Sequence, residues 1–169
     1  MPYRLPPVRS KCGVRSIERL TRLYERQGTS VGIVVRRTYS GSCHCGTVRF
    51  EADLDVAAGT KKCNCSICSK MRLWAAEVSP DCFRLLTGTD DLTDYRGRNP
   101  VAHHLFCRHC GVHAFELIDV PNMSGARYYN VNVACLDGVD IDELMAAPVS
   151  YHDGRNDDWG SVPGEIRHL

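Results

Sequence analysis

The sequence of 169 residues lacks long hydrophobic runs, and its apolar stretches extend for only a few residues. A transmembrane helix needs about 20 predominantly apolar residues, so we expect no membrane partner. The N-terminus also lacks the apolar stretch and small-residue cleavage site of a secretory signal, and we therefore expect a cytoplasmic protein. In a reducing compartment, ten cysteines are better explained as metal ligands than as a disulfide framework.

The sequence also lacks a strong net charge, but its value of +1 conceals an asymmetry. Residues 1–37 contain nine Lys and Arg residues against two acidic ones, whereas the rest of the chain contains 12 basic and 18 acidic residues. We therefore predict a basic N-terminal extension (1–37), disordered over 1–11 and helical over 14–26, and one domain over 38–169. Such an extension can bind nucleic acid, but a flexible or partly helical extension is the simpler interpretation.

Short apolar runs separated by turn residues predict a mainly β domain with little helix. Val48, Phe50 and Ala52 alternate with polar residues, which is the pattern of a half-buried strand. Proline and glycine clusters separate the later runs, as expected of turns. The further predicted strands are 73–78, 82–86, 92–95, 101–106, 112–117 and 128–134, and 140–146 is predicted to be a short helix.

Seven of the ten cysteines form three tight clusters. Cysteines one or two residues apart are too close to form a disulfide with each other without strain. They suit tetrahedral zinc, whose Zn–S bonds of about 2.3 Å gather several thiolates around one ion. The clusters are Cys43 and Cys45; Cys63, Cys65 and Cys68; and Cys107 and Cys110. We therefore expect zinc as the cofactor.

The two cysteine pairs together supply the four ligands of a closed, structural zinc site. Glycines beside each pair give the backbone the freedom to turn both thiols toward one ion. We predict that the first and last clusters form this site and connect an early strand to a late one.

The middle cluster supplies three thiolates, which leaves one coordination position to be explained. A catalytic zinc site keeps such a position open. Alternatively, a distant side chain closes the site and makes it structural, or the cluster is a redox centre without metal. The candidates for a distant ligand are Cys82, Cys135, His103 and His104.

An open position on a three-thiolate zinc favours a sulfur ligand. Three anionic sulfurs weaken the ion as a Lewis acid, so the ionisation of water is a less natural task for it. Zinc accepts soft sulfur donors, and a coordinating thiol loses its proton. Such a site therefore favours the activation of a thiol substrate near an electrophile.

Three segments stand out around the cysteine clusters: Gly41–Phe50 (GSCHCGTVRF), Cys63–Cys68 (CNCSIC) and Phe106–His113 (FCRHCGVH). Together they resemble the glutathione-dependent formaldehyde-activating enzyme family, also called the centromere protein V/Gfa domain. The connecting segments Leu85–Tyr95 and Val131–Gly138 also resemble the family. The resemblance extends from about Thr38 to about Trp159 and leaves the basic extension outside.

The resemblance implies an Mss4-like β fold with two zinc ions. It assigns the first and last clusters to a structural ion and Cys63, Cys65 and Cys68 to a catalytic ion. It also implies that glutathione condenses with formaldehyde to S-hydroxymethylglutathione, a carbon–sulfur lyase reaction. The partners would then be a small thiol, such as glutathione, and an aldehyde.

The sequence does not identify the group that protonates the product oxygen. His103, His104 and Asp153 are candidates, although a histidine on a strand is more often a packing residue. Trp74 is better explained by core packing than by a substrate pocket, and Cys135 is better explained as a buried core residue. The resemblance alone suggests that the polar segment 152–158 approaches the middle cluster.

Two classes of function remain open at the level of the sequence. The first is an enzyme that acts on a thiol adduct at an open zinc. The second is a non-catalytic, zinc-stabilised interaction domain in which both sites are structural. The fourth ligand of the middle cluster distinguishes them.

Overall fold

A computed structural model describes residues 36–97, 100–120 and 127–169. In these ranges the chain forms ten strands and two short α-helices, so the predicted mainly β class with little helix is confirmed. The strands are β1 (Arg37–Ser42), β2 (Arg49–Leu54), β3 (Thr60–Cys63), β4 (Trp74–Val78), β5 (Phe83–Thr87), β6 (Leu92–Tyr95), β7 (Ala102–Cys107), β8 (His113–Asp119), β9 (Arg127–Asn132) and β10 (Val149–His152). The helices are α1 (Ser66–Met71) and α2 (Ile141–Ala146). The segments predicted at 1–11 and 14–26 lie outside the described residues.

The strands form two sheets. The smaller sheet has the order β1-β2-β5, and the larger has the order β10-β3-β4-β9-β8-β7-β6. The pairs are antiparallel, with one parallel exception between β10 and β3. Strands β3 and β10 pair although six other strands lie between them in the chain, and this pairing brings the C-terminal segment beside Cys63.

The core lies between the two sheets and is dominated by aromatic side chains. Phe83 stacks on Tyr129 with ring centroids 4.1 Å apart, and it lies 4.7 Å from the ring of Phe115. Phe50 of β2 contacts both phenylalanine rings. Aromatic pairs at these separations add to the stabilisation from burial alone. Trp74 packs against the same core, as predicted.

The larger sheet has two chemically different faces, since residues paired directly across strands point to the same side. The core face carries Leu105, Phe115 and Val131, which are paired in that order. The other face, called the polar face here, carries the paired residues His104, Glu116 and Asn130. Cys63 lies on the polar face, because the register of β3, β4 and β9 continues the same alternation to that residue.

A β-bulge changes the alternation near the start of β8. Leu105 pairs with Phe115, but the next residue, Phe106, pairs with His113 rather than Ala114. The extra residue on β8 therefore turns His113 to the polar face. The rings of His104 and His113 consequently lie with their centroids 5.7 Å apart.

The helix predicted over 140–146 is confirmed, whereas the predicted strand over 128–134 ends early. Asp140 accepts a hydrogen bond from the Asp142 amide and begins α2. The Asn132 side chain similarly accepts from the Ala134 amide, which turns residues 133–135 into a 3₁₀-helix. Among the described residues, no helix is long and apolar enough to span a bilayer.

We expect Gly41→Ala to destabilise the fold. A Cβ atom at this position would lie 2.2 Å from the ring of Phe50, which packs over the glycine from the neighbouring strand. Overpacking of this kind costs about 3 kcal/mol of unfolding free energy. Urea denaturation of the two proteins measures the loss. Gly164→Ala is the matched control, because nothing lies within 4 Å of its new Cβ; equal losses in both variants would contradict the packing explanation.

Candidate metal centres

The four cysteines predicted to form a closed site come together in the structure. Cys43 and Cys45 lie in the β1–β2 turn, whereas Cys107 ends β7 and Cys110 lies in the β7–β8 turn. The four sulfur atoms lie within 4.8 Å of one another, and Cys45 Sγ is 3.6 Å from both Cys43 Sγ and Cys107 Sγ. Four sulfurs around one zinc are separated by about 3.8 Å when each bond is about 2.3 Å. The cluster therefore fits a tetrahedral zinc ion.

Two similar turns present these thiols. Gly46 and Gly111 follow the second cysteine of each pair and have φ values of 74° and 72°. The Gly46 amide donates to the Cys43 carbonyl over 3.0 Å, and the Gly111 amide donates to the Cys107 carbonyl over 2.8 Å. This left-handed conformation is favourable for glycine and strained for other residues. The glycines thus allow each short turn to direct two sulfurs to the same side.

The thiols of the four-cysteine cluster have different acidities. The Thr47 hydroxyl, 3.2 Å from Cys45 Sγ, lowers the pKa of that thiol to about 6. Burial raises the pKa of Cys107 to about 12. Backbone amides, with Val112 first, lower the pKa of Cys110. A metal ion that binds this cluster must therefore displace protons, mainly from the buried thiol.

The middle cluster is built where β3 passes into α1. Cys63 ends the strand, Cys65 is the N-cap of the helix, and Cys68 lies in its first turn. The three sulfur atoms lie within 4.8 Å of one another. The Cys65 amide donates to Cys63 Sγ over 3.2 Å, and the Cys68 amide donates to Cys65 Sγ over 3.5 Å. The transition from β3 to the first turn of α1 therefore brings the three thiols together, and it does so without a glycine.

One thiol of this cluster is strongly acidic. Hydrogen bonds from Cys63 and then Cys68 lower the pKa of Cys65 to about 2. The same contacts raise the pKa of Cys68, and the contact with Cys65 raises the pKa of Cys63. The hydrogen bonds within the cluster therefore favour ionisation at Cys65, which is the protonation state that a metal ligand requires.

The distant ligands considered for this cluster lie elsewhere. Cys82 and Cys135 are buried in the hydrophobic core, which agrees with the packing role predicted for Cys135. His103 contacts Asp94 at 2.9 Å on the core face, and His104 belongs to a separate group on the polar face. Within the described part of the chain, no fourth His, Cys, Asp or Glu atom joins the three sulfurs.

A C-terminal loop packs against the middle cluster. The Asn64 amide group donates to Asp153 Oδ1 over 2.6 Å, and Asn64 Oδ1 accepts from the Arg155 backbone over 2.8 Å. Between these contacts, Gly154 approaches Cys63 so closely that a Cβ would lie 2.7 Å from its sulfur. The structure therefore brings the segment predicted to approach the cluster into contact with it.

The three candidate proton donors have different environments. Asp153 is ionised, because the Asn64 and Asn156 amides lower its pKa, so it serves as an anchor for the loop. His103 lies on the face opposite Cys63. His104 is the candidate that shares the polar face with the cluster.

Sequence reasoning missed three residues that shape this region, Asn64, His113 and Glu116, and it did not single out Gly154 within the predicted segment 152–158. Glu116 is 4% exposed within the apolar run Ala-Phe-Glu-Leu-Ile, and an acid in such a run is a signal of a buried polar site. Asn64 stands between two ligand candidates and is also buried. His113 and Gly154 carry no comparable local signal, since their roles depend on a bulge and on a distant contact.

Comparison with known protein families gives a match over residues 38–151 to the model for glutathione-dependent formaldehyde-activating enzymes. The chain belongs to this family. The match includes both cysteine pairs, the middle cluster and most of the two sheets. The resemblance inferred from the cysteine segments is therefore confirmed.

A crystal structure of a Rhodobacter sphaeroides protein, a structural genomics target, is similar in both sequence and fold. The two chains are 34% identical, and the superposition has a TM-score of 0.55. The alignment covers 66% of this chain and 99% of the bacterial protein. The aligned region therefore includes nearly all of the Rhodobacter sphaeroides chain.

We expect Gly154→Ala to weaken metal binding at the middle cluster. Its Cβ would meet both Cys63 Sγ and the Trp159 ring at 2.7 Å, so the loop or the sulfur must move. Changes beside metal ligands typically reduce affinity about 10- to 100-fold. Competition with a chromophoric chelator measures the zinc affinity.

Gly160→Ala is the control for this variant, because only an Asp158 oxygen, at 4.0 Å, is near its Cβ. If both variants bind zinc as tightly as the unmodified chain, the contact between the loop and Cys63 has no influence on the site.

Proposed function

We propose that this protein is a zinc-dependent carbon–sulfur lyase that condenses glutathione, or a similar thiol, with formaldehyde to give S-hydroxymethylglutathione. Family membership supports this reaction. The observation that carries the proposal is the three-thiol cluster, which has no fourth His, Cys, Asp or Glu ligand among the described residues. A closed structural site would need such a ligand.

The donor sets of the two clusters suit two zinc ions with different tasks. Cys43, Cys45, Cys107 and Cys110 would hold a structural ion. Cys63, Cys65 and Cys68 would hold the catalytic ion, which when bound supplies a position where a substrate thiol is kept as a thiolate. The spacing of the sulfurs and the acidity of Cys65 both favour binding of zinc.

The reaction joins the substrate sulfur to the aldehyde carbon. The S–H proton leaves, a C–S bond forms, and the C=O π electrons become an alkoxide that accepts a proton. Atoms and charge therefore balance without an external oxidant or reductant. Of the three candidates for that proton, Asp153 is ionised and His103 faces the core, which disfavours both.

Basic residues around the middle cluster suit a substrate with carboxylates. Lys70 lies in α1, Arg72 caps its C-terminus, and Arg155 lies in the loop beside Cys63. Glutathione carries two carboxylates, so electrostatic complementarity favours its approach to this region.

Substitution of Cys65 by Ser should abolish the reaction while the fold remains intact. Serine removes the acidic sulfur but keeps an N-cap oxygen for α1. Exchange of ¹³C-formaldehyde with glutathione, followed by NMR, measures the reaction. Calorimetry measures glutathione binding, and metal analysis gives the zinc content.

Cys135→Ala is the matched control, because this thiol is buried in the core and lies outside the cluster. We expect it to retain exchange and glutathione binding. If both cysteine clusters hold zinc and the unmodified protein nevertheless fails to bind glutathione and to accelerate exchange, the middle cluster is structural. The second class of function, a zinc-stabilised interaction domain, then replaces the lyase.

A further inference from the structure

A second group of potential ligands lies on the polar face, and it contains no cysteine. It consists of His104 on β7 with His113 and Glu116 on β8. One ligand atom of each residue lies within 4.8 Å of the others. The three residues are only 6%, 6% and 4% exposed, respectively. This group is called the His-His-Glu cluster below.

Polar atoms in the His-His-Glu cluster lack hydrogen-bond partners. Both ring nitrogens of His113 are buried without one. His104 Nδ1 and Glu116 Oε2 form no aligned hydrogen bond, but they lie 2.7 Å apart and are polar partners of each other. Buried polar groups are normally paired, since an unpaired one costs about 1–3 kcal/mol. Several such atoms at one point indicate a ligand.

We infer that His104, His113 and Glu116 bind a divalent transition-metal ion of the zinc type, separate from the two cysteine sites. Two imidazoles and one carboxylate are an established donor set for zinc, with bonds of about 2.0–2.2 Å. Ligand atoms around such an ion are separated by about 3.3 Å. The separations in the cluster, from 2.7 Å to at most 4.8 Å, bracket this value.

The charges of the cluster favour a cation. Two imidazoles and one carboxylate are buried together here, and each can offer a lone pair to a cation. A buried carboxylate is costly unless a positive charge balances it.

A neighbouring amide already orients the carboxylate. Asn130 donates from Nδ2 to Glu116 Oε1 over 2.7 Å, while Oε2 is the oxygen that has no hydrogen bond. Metal-binding carboxylates are commonly held in this way by a residue outside the ligand set. The arrangement therefore presents one oxygen to an ion and fixes the other.

The His-His-Glu cluster and Cys63 lie on the same face of the larger sheet but on different strands. The two sites differ in donor chemistry and share no ligand. The inference does not depend on the proposed reaction, because binding of the ion is measured without turnover.

Reconstitution with Co²⁺ tests the inference on the full chain. Thiolate sites give intense sulfur-to-cobalt charge-transfer absorption, whereas a site of nitrogen and oxygen ligands gives only weak ligand-field bands. We expect three equivalents of Co²⁺ per chain, one of which adds no charge-transfer absorption. Glu116→Gln and His113→Gln should each lose one equivalent and leave the charge-transfer bands unchanged.

His103→Gln is the matched control, since this histidine is on the same strand as His104, is equally buried and faces the core side. It should retain all three equivalents. Circular dichroism confirms that each variant is folded. A stoichiometry of two in the unmodified chain, or unchanged binding in folded Glu116→Gln, overturns the inference; the first result decides the question even if a variant fails to fold.

Discussion

The contact among Cys43, Cys45, Cys107 and Cys110 joins the two sheets at one end. Cys45 and Cys107 are 62 positions apart in the chain, yet their sulfurs are separated by 3.6 Å. Closing a loop of this length costs about 4 kcal/mol of chain entropy when the ends are otherwise free. The pKa values of the Cys45 and Cys110 thiols are lowered, so these thiols tend to ionise. The resulting thiolates repel each other unless a cation binds between them. Binding of a metal ion at this point therefore couples directly to formation of the two-sheet core.

The local backbone explains why the two cysteine clusters suit different tasks. The four-cysteine cluster is made by two glycine turns from separate hairpins, so its ligands surround a point between them. The middle cluster is made by one continuous segment, in which β3 passes into α1, and its three sulfurs approach from one side. The remaining direction is bordered by the loop at Gly154 rather than by a fourth thiol. Among the described residues no fourth His, Cys, Asp or Glu atom joins these three sulfurs, and the proposed open position depends on this.

Cysteine spacing predicted which thiols come together, because zinc ligands are encoded as short local motifs. Strands with clear alternation were also predictable, and the bounds of 92–95 agree with β6. The strands β1, β3 and β10 were missed. The sequences of β3 and β10, Thr-Lys-Lys-Cys and Val-Ser-Tyr-His, contain few apolar residues and are only partly buried. Helix α1 was missed as well, because its six residues depend on Cys65 as the N-cap and bury none of their own side chains. These elements are determined by partners distant in sequence.

The polar face depends on a feature that no local pattern reveals. In a regular ladder Ala114 would pair with Phe106 and face the polar side, and His113 would point toward the aromatic core. The bulge shifts the pairing by one residue, so His113 pairs with Phe106 and faces the polar side. It places an imidazole beside His104 and Glu116, where several nitrogen and oxygen atoms are buried without hydrogen bonds. A fold that concentrates unpaired polar groups loses stability at that point, and the well-packed aromatic core on the opposite face of the same strands offsets the loss. Because strands β7 and β8 are fixed by that core, the ligand atoms on their other face are held in position before any ion arrives.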